Sequence, residues 1–288
     1  MKEFSVDTTK TLLEIVQETM GFGSVSKARK FIKYGNVRVD DKVVTIPGME
    51  VNAGQRVSFG ERKKLQAKRK ESAFPFEVYY EDPQVIAFAK PAGIPIRSEN
   101  VKQSSVVRKL NSWLKKEGVD EDFFILNKID KRESGIVLAV RDINLKTPLE
   151  REGWEERFYA LVPGGPKDDD GIKVTLFRRN KIGLLLPTSD PKEGRECEVH
   201  FRVMKRGNGF SLLKVVPVTN TKNEVRASMA AMGHPVVGDK RYQSQTNPIG
   251  RLGIHVFSIR FKHPETDEMI EVKTPVPRPF LDVLKPSK

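Results

Sequence analysis

Cysteine occurs once in this 288-residue chain, as Cys197, and histidine four times. One thiol cannot close an intramolecular disulfide or build a thiolate zinc site. His200, His234, His255 and His263 are scattered, with none at ligand spacing from another or from Cys197, so no metal site is expected. Long apolar runs are missing too: no stretch of about 18 residues is apolar throughout, which excludes a membrane-spanning helix. The start, Met1-Lys2-Glu3-Phe4-Ser5, has no apolar core of a secretory leader, and a reducing cytoplasm is the expected compartment. No Gly-x-Ser-x-Gly elbow and no glycine-rich phosphate loop occurs, which weakens hydrolase and nucleotidase readings. No hydrophobic heptad marks a self-association stripe, so a monomer is expected.

Positive charge, by contrast, is abundant. The chain has 51 Lys and Arg against 38 Asp and Glu, a net charge of +13 and a pI near 9.7. Each phosphate neutralised by Lys or Arg releases a condensed counterion, so this surplus fits a polyanionic partner, with RNA, DNA and an anionic membrane all compatible. Hydrophobic residues make up 38% of the chain, enough for a core, and the length fits about two domains at roughly 150 residues each.

The densest basic cluster, Arg62, Lys63, Lys64, Lys68, Arg69 and Lys70, contains almost no large apolar residue and cannot bury a core. Residues 60–74 therefore read as a linker or a short solvated helix, dividing a domain over 1–59 from one over 75–288. In the first domain, Leu12, Leu13, Ile15, Val16 and Met20 recur at helical spacing after Thr8 and Thr9, either of which can cap a helix start. A second helix is expected over residues 24–35, with Ala28, Phe31 and Ile32 on its apolar face and Gly35 as its stop. Its other face carries Lys27, Arg29, Lys30 and Lys33. Short strands follow at Val37-Arg38-Val39, Val43-Val44 and Gln55–Phe59, with Asp40-Asp41 as a turn.

Two helices followed by a small sheet make residues 8–59 resemble the αL-type RNA-binding module of a ribosomal small-subunit protein and several RNA-modifying enzymes. The resemblance implies that the second helix and the hairpin after it lie against RNA, with Lys27, Arg29, Lys30, Lys33 and Arg38 near phosphates. Such contacts position RNA without reading its sequence.

Beyond residue 75, Val/Ile/Phe-rich runs at Val78–Tyr80, Val85–Phe88, Ile136–Val140, Phe158–Val162, Leu212–Val216 and His255–Ile259 alternate with turn residues. Helical patterns occur at 104–117 and 222–232. The expected fold is α+β, built on a largely antiparallel sheet. One acidic group stands out: Asp130 in Asn127-Lys128-Ile129-Asp130-Lys131-Arg132-Glu133-Ser134-Gly135, set among three cations just before an apolar strand. Neighbouring cations favour the carboxylate form needed in a nucleophile or base, although a turn residue or surface ion pair has the same local pattern.

The wider context of Asp130 resembles the large-subunit ribosomal pseudouridine synthase family over residues 76–277. The resemblance rests on Lys90-Pro91-Ala92-Gly93-Ile94-Pro95, Ile129–Ile136, Arg157-Phe158-Tyr159-Ala160-Leu161-Val162, Val225-Arg226 and Gly233-His234-Pro235-Val236-Val237-Gly238-Asp239, in that order. It implies a reaction without metal or cofactor. Uracil flipped out of its stack is detached from C1′ at N1, turned, and rejoined through C5. It also implies Asp130 as the catalytic aspartate, Tyr159 as an active-site aromatic on the base, and Arg226 as the cation paired with Asp130. Lys90–Gly93 is expected to shape the pocket edge, and Gly238-Asp239 to form a structural turn.

The match departs from the family pattern at three places. Asn127-Lys128 stands where most members have His-Arg, so that Lys128 takes the place of the base-flipping arginine without its planar fork. Glu133-Ser134 replaces Thr-Ser, and Asn220–Glu224 replaces Gly-Arg-Thr-His-Gln. These departures keep a second reading open, a weakened or silent member that binds ribosomal RNA as an assembly factor. On either reading Lys63 and Lys64 of the linker would add to the RNA-facing charge.

Overall fold

The computed structural model describes residues 2–22, 24–33, 36–59, 74–82, 84–100, 102–117, 122–127 and 129–286. Lys63, Lys64, Lys128, Gly35 and all of the linker except Phe74 lie outside them. Two compact units divide the chain, residues 1–72 and 73–288.

In the first unit, strands β1 (Lys2–Ser5) and β2 (Lys10–Thr11) precede helices α1 (Leu12–Met20) and α2 (Val25–Lys33). Four short strands follow, β3 (Val37–Val39), β4 (Lys42–Val43), β5 (Glu50–Val51) and β6 (Arg56–Phe59). One sheet runs β1-β6-β3-β4, and β2 pairs with β5. The cap of α1 is Thr11 rather than Thr8 or Thr9: its Oγ1 accepts from the Glu14 N–H while the Glu14 carboxylate accepts from the Thr11 N–H at 2.8 Å, a reciprocal box. Leu12, Ile15, Val16, Ala28 and Ile32 close a core against Val37, Val39, Val51 and Val57. The Asp40-Asp41 turn has both residues at positive φ, as a tight hairpin requires. β1 was not legible in the sequence because four residues of mixed polarity carry no period of their own.

The second unit is built on eleven strands among the described residues. Its elements are β7 (Glu77–Glu81), β8 (Val85–Lys90), α3 (Val106–Glu117), β9 (Phe124–Ile125), β10 (Ser134–Val140), α4 (Ile143–Glu152) and β11 (Trp154–Pro163). They continue with β12 (Asp170–Arg179), β13 (Leu185–Pro187), β14 (Arg195–Gly207), β15 (Phe210–Pro217), α5 (Glu224–Ala231), β16 (Ile254–Lys262), β17 (Met269–Lys273) and α6 (Arg278–Asp282). The main order is β13-β12-β14-β15-β11-β16-β10-β8-β7, with β17 beside β16 and β9 beside β10. Every pairing is antiparallel except β10 with β16. This is the expected α+β architecture.

Every residue of β10 is buried, which makes it the centre of the sheet. Gly135 is required there: it has φ +132°, and a Cβ would sit 2.3 Å from the Val256 carbonyl oxygen on β16. Helix α3 buries Val106, Leu110, Trp113 and Leu114 on one face, each side chain contributing about 1.5–3 kcal/mol. Helix α4 escaped the sequence reading because Pro148 interrupts its pattern; Asp142 caps it, accepting from the Asn144 N–H at 2.9 Å. The long strands β12 and β14 escaped as well, since their alternating positions are charged and exposed. No helix among the described residues is long and apolar enough to cross a membrane.

Candidate active site

Asp130 lies in the loop between β9 and β10, and that loop is pinned at both ends. Its N–H donates to Glu133 Oε2 at 2.9 Å, and its Oδ1 accepts from the Arg132 N–H at 3.0 Å, a local turn that fixes the carboxylate. Beneath it, the buried Lys90 ammonium donates to the carbonyls of Glu133 (2.7 Å), Ile94 (2.8 Å) and Pro91 (3.1 Å). Burial lowers its pKa to about 8 against the opposing pull of Glu133 and Asp130. Lys90 thus ties the Lys90–Gly93 segment to the Asp130 loop, and Gly93 N–H completes the tie on the Lys131 carbonyl at 2.7 Å. Arg132 turns away and donates to the Gly238 carbonyl.

Asp130 borders a cavity of about 440 Å³, within the range of small-ligand pockets. Its walls include Asn127, Glu133, Trp154, Glu156, Phe158, Asn223 and Arg226. Helix α5 supplies Arg226 from its first turn, and the loop before it turns through Asn220 and Asn223, both at positive φ. Strand β11 supplies Trp154, Glu156 and Phe158, alternate residues that share one face of the sheet.

That alternation corrects the expectation for Tyr159. Its neighbours Phe158 and Ala160 belong to the core on the cavity side, whereas Tyr159 packs on the opposite face with Leu161, Leu212, Val237 and Phe280. It stacks on Phe257 at 4.1 Å between centroids, and burial raises the pKa of its hydroxyl. The aromatic ring in the cavity wall is Phe158. The period-two pattern contained the signal, since a strand that buries Ala160 and Val162 toward the core must carry Phe158 with them.

The partner expected for Arg226 is also corrected. Its Nε and Nη2 make a two-pronged pair with Asp239, at 2.6 and 2.8 Å, and both side chains are almost wholly buried. Its Nη1 lies 3.4 Å from Glu133 Oε1 and 3.3 Å from Asn223 Oδ1. Asp130 acts on Arg226 only through its field. Burial pulls the guanidinium pKa down, but the Asp239 bonds and charge raise it on balance. Asp239 therefore serves both the turn read from Gly238-Asp239 and the anchoring of Arg226.

Two further carboxyls in the wall went unassigned in the sequence. Burial raises the pKa of both Glu133 and Glu156, and the charge of Glu133 adds to the rise of Glu156. For Glu133, the Asp130 N–H and Arg226 work against the rise. For Glu156, Asn127 and Trp154 do so. Glu156 is invisible as a pocket residue until β11 is placed. Among the described residues no group of three or more His, Cys, Asp or Glu could hold a metal ion.

In the first unit, the expected RNA-facing residues fall on α2 and β3. Arg29 and Arg38 are exposed, and Lys27, Lys30 and Lys33 lie within the span of α2. Arg38 Nη1 donates to the Asp41 carbonyl at 3.2 Å.

Residues 12–57 match the S4 domain family, and residues 84–231 match the RNA pseudouridylate synthase family. Ribosomal large subunit pseudouridine synthase D of Haemophilus influenzae is 23% identical over 97% of this chain and 90% of its own. An uncharacterized RNA pseudouridine synthase of Synechocystis is 27% identical over 91% of this chain and 84% of its own. Ribosomal large subunit pseudouridine synthase C of Buchnera aphidicola is 24% identical, over 91% and 90%. Among solved structures, human RNA pseudouridylate synthase domain containing 4 aligns with a TM-score of 0.59 at 15% identity, covering 72% of this chain and 91% of that one, a likeness of fold. With a match that takes in Asp130, Glu156, Phe158 and Arg226, this chain belongs to the RNA pseudouridylate synthase family and carries an S4 domain ahead of that match.

Proposed function

We propose that this pseudouridine synthase acts on a uridine of ribosomal RNA, with Asp130 as its catalytic aspartate. The observation that carries the assignment of Asp130 is its place: a half-buried carboxylate, fixed by its own loop, on the rim of a cavity large enough for one nucleoside. The ribosomal substrate is supported by the relatives named ribosomal large subunit pseudouridine synthase and by the S4 domain. The isomerisation is balanced within the nucleotide. The N1–C1′ bond breaks, a C5–C1′ bond forms, C5 loses its proton and N1 gains one. Asp130 acts at the ribose, and Phe158 offers an apolar ring to the flipped base. Arg226, anchored by Asp239, holds positive charge in the wall near Asp130. Unstacking the uridine costs on the order of a few kcal/mol, which RNA contacts elsewhere offset.

Those contacts fall to the first unit. Lys27, Arg29, Lys30, Lys33 and Arg38, together with Lys63 and Lys64 of a linker over 60–74 and Lys128, two residues before Asp130 in the sequence, form the phosphate-facing set in this reading. The enzyme works as a monomer in the cytoplasm, and sedimentation of the purified chain tests the first of these.

Pseudouridine mapping in total RNA tests the function, using cells without the gene complemented by wild type or by Asp130→Asn. A ribosomal site lost on deletion and restored only by wild type is the expected result. Restoration by Asp130→Asn would overturn the catalytic assignment, and a transfer RNA site would overturn the substrate. Binding to ribosomal RNA with no site altered anywhere would favour the silent assembly factor.

A further inference from the structure

Glu156 occupies a position in the cavity wall that the reaction as described leaves unused. Its surroundings fix which of its oxygens can meet a ligand. Asn127 is oriented by the backbone of β10: its Oδ1 accepts from the Leu138 N–H at 2.8 Å, and its Nδ2 donates to the Ile136 carbonyl at 2.9 Å. The side-chain amide cannot be flipped without breaking both bonds. Its second N–H is therefore forced toward Glu156 Oε1, 3.0 Å away, and the Trp154 indole, a donor only, approaches the same oxygen at 3.3 Å. Oε1 is thus filled as an acceptor, while Oε2 has no hydrogen-bond partner among the described residues, and Glu156 itself lines the cavity.

Burial raises the pKa of this carboxyl, Asn127 and Trp154 oppose the rise, and the charge of Glu133 adds to it. Asp130, Glu150, Lys222, Glu224 and Arg226 are the other charged groups lining the cavity. With Oε1 held by two donors, the proton of the neutral acid that burial favours resides on Oε2. The wall then presents one fixed O–H donor.

Resting on the reading of this cavity as the uridine site, we propose that Glu156 is a specificity-determining residue: its Oε2 hydroxyl donates to a carbonyl oxygen of the flipped uracil. The reaction itself makes this donor useful twice. Exchanging N1 for C5 by a half-turn about the line from C6 to N3 also exchanges C2 for C4, so that O2 and O4 trade places. Uracil offers a carbonyl acceptor to the same donor before and after the turn. Cytosine offers a carbonyl in one orientation and an amino group in the other, leaving the donor unpaired.

Three variants of the full chain test the proposal, with tritium release from C5-labelled total cellular RNA as the assay. Glu156→Gln keeps the shape and turns an N–H toward the base; Glu156→Ala removes the donor. The wild-type kcat/KM falls on the alkaline side as Glu156 ionises, and Glu156→Gln loses that fall. At pH 7 Glu156→Gln runs several-fold below wild type yet about tenfold or more above Glu156→Ala. Glu156→Gln as poor as Glu156→Ala would overturn the donor role, since it would mean that the carboxylate is needed. Full activity in Glu156→Ala would also overturn it. Asp130→Asn, run in parallel, separates the two readings: if it retains activity, Asp130 is misassigned while the Glu156 comparison still stands. Infrared difference spectra of wild type minus Glu156→Gln need no turnover. A protonated-carboxyl band at pH 7 is expected, and a carboxylate band there would overturn the proposal.

Discussion

Breaking the Arg226–Asp239 pair separates the anchoring of α5 from the chemistry beside it. The two side chains are 3% and 0% exposed and share bonds of 2.6 and 2.8 Å. Asp239→Ala leaves a buried guanidinium with Glu133 at 3.4 Å as its nearest counter-charge. Arg226→Met leaves the wholly buried Asp239 with no cation. Removing one partner of such a pair costs about 3–5 kcal/mol, because the orphaned charge stays out of water. For a unit of this size that corresponds to a fall of about 6–20 °C in Tm. The double variant orphans neither charge, so it should be destabilised by less than the sum of the singles, by about 1–3 kcal/mol. Both tryptophans, Trp113 and Trp154, lie in the second unit, so thermal unfolding followed by tryptophan fluorescence reports on that unit alone. Singles within about 1 kcal/mol of wild type, or a double equal to their sum, would refute the argument.

Because Tyr159 packs behind the sheet, Tyr159→Phe should leave tritium release near wild type, whereas Phe158→Ala should lower kcat/KM about tenfold or more; the opposite ranking would restore Tyr159 to the site. The raised pKa of Glu156 means that the folded state holds a proton the unfolded chain gives up above its ordinary value near 4.5, so this group's contribution weakens stability as pH rises from there. The Tm advantage of Glu156→Gln over wild type should therefore widen between pH 5 and pH 7, and a constant difference would contradict the shift. Replacing Arg29 and Arg38 with Ala should flatten the salt dependence of ribosomal RNA binding by about 0.7 log units per residue, and an unchanged slope would remove them from the interface.

Elements with enough apolar residues on the buried side are predicted from the sequence, whereas α4, β12 and β14, whose patterns a proline or exposed charges interrupt, are not. Helix α3 follows from apolar periodicity and strands β8 and β10 from short continuous apolar runs, and Asp130 stood out because it sits among cations before such a strand. What stayed hidden depends on contacts between distant segments. Phe158 and Tyr159 are adjacent aromatics, and only the registration of β11 between β15 and β16 decides which one reaches the cavity. Asp239 lies 13 residues from Arg226, and local spacing gives no hint that the turn carrying it folds back onto α5. Glu156 reads as one more surface charge in Glu155-Glu156-Arg157 until its alternate neighbours are seen to be buried.

The departures from the family pattern bear on whether the site works. Three of the residues at which this chain departs, Asn127, Glu133 and Asn223, line one cavity, and their side chains are bonded into it rather than left idle. Asn127 is held by β10 and in turn orients Glu156. Glu133 accepts from the Asp130 N–H with one oxygen and faces Arg226 with the other, while Asn223 reaches the same guanidinium. A site losing its function accumulates replacements that leave buried polar groups unpaired, because nothing selects their partners. Each of these three satisfies a neighbour, and two of them converge on Asp130 and Arg226. Among the other replacements in the wall, Glu224 accepts from the Thr221 N–H at 2.7 Å, whereas the Thr221 hydroxyl is buried with no partner among the described residues. That pattern fits an active site rebuilt around the same aspartate. It predicts that reverting Glu133 to Thr alone, which strips the Asp130 N–H and Arg226 of an acceptor, should lower activity rather than raise it. Higher tritium release from Glu133→Thr would mean that the departure is a defect.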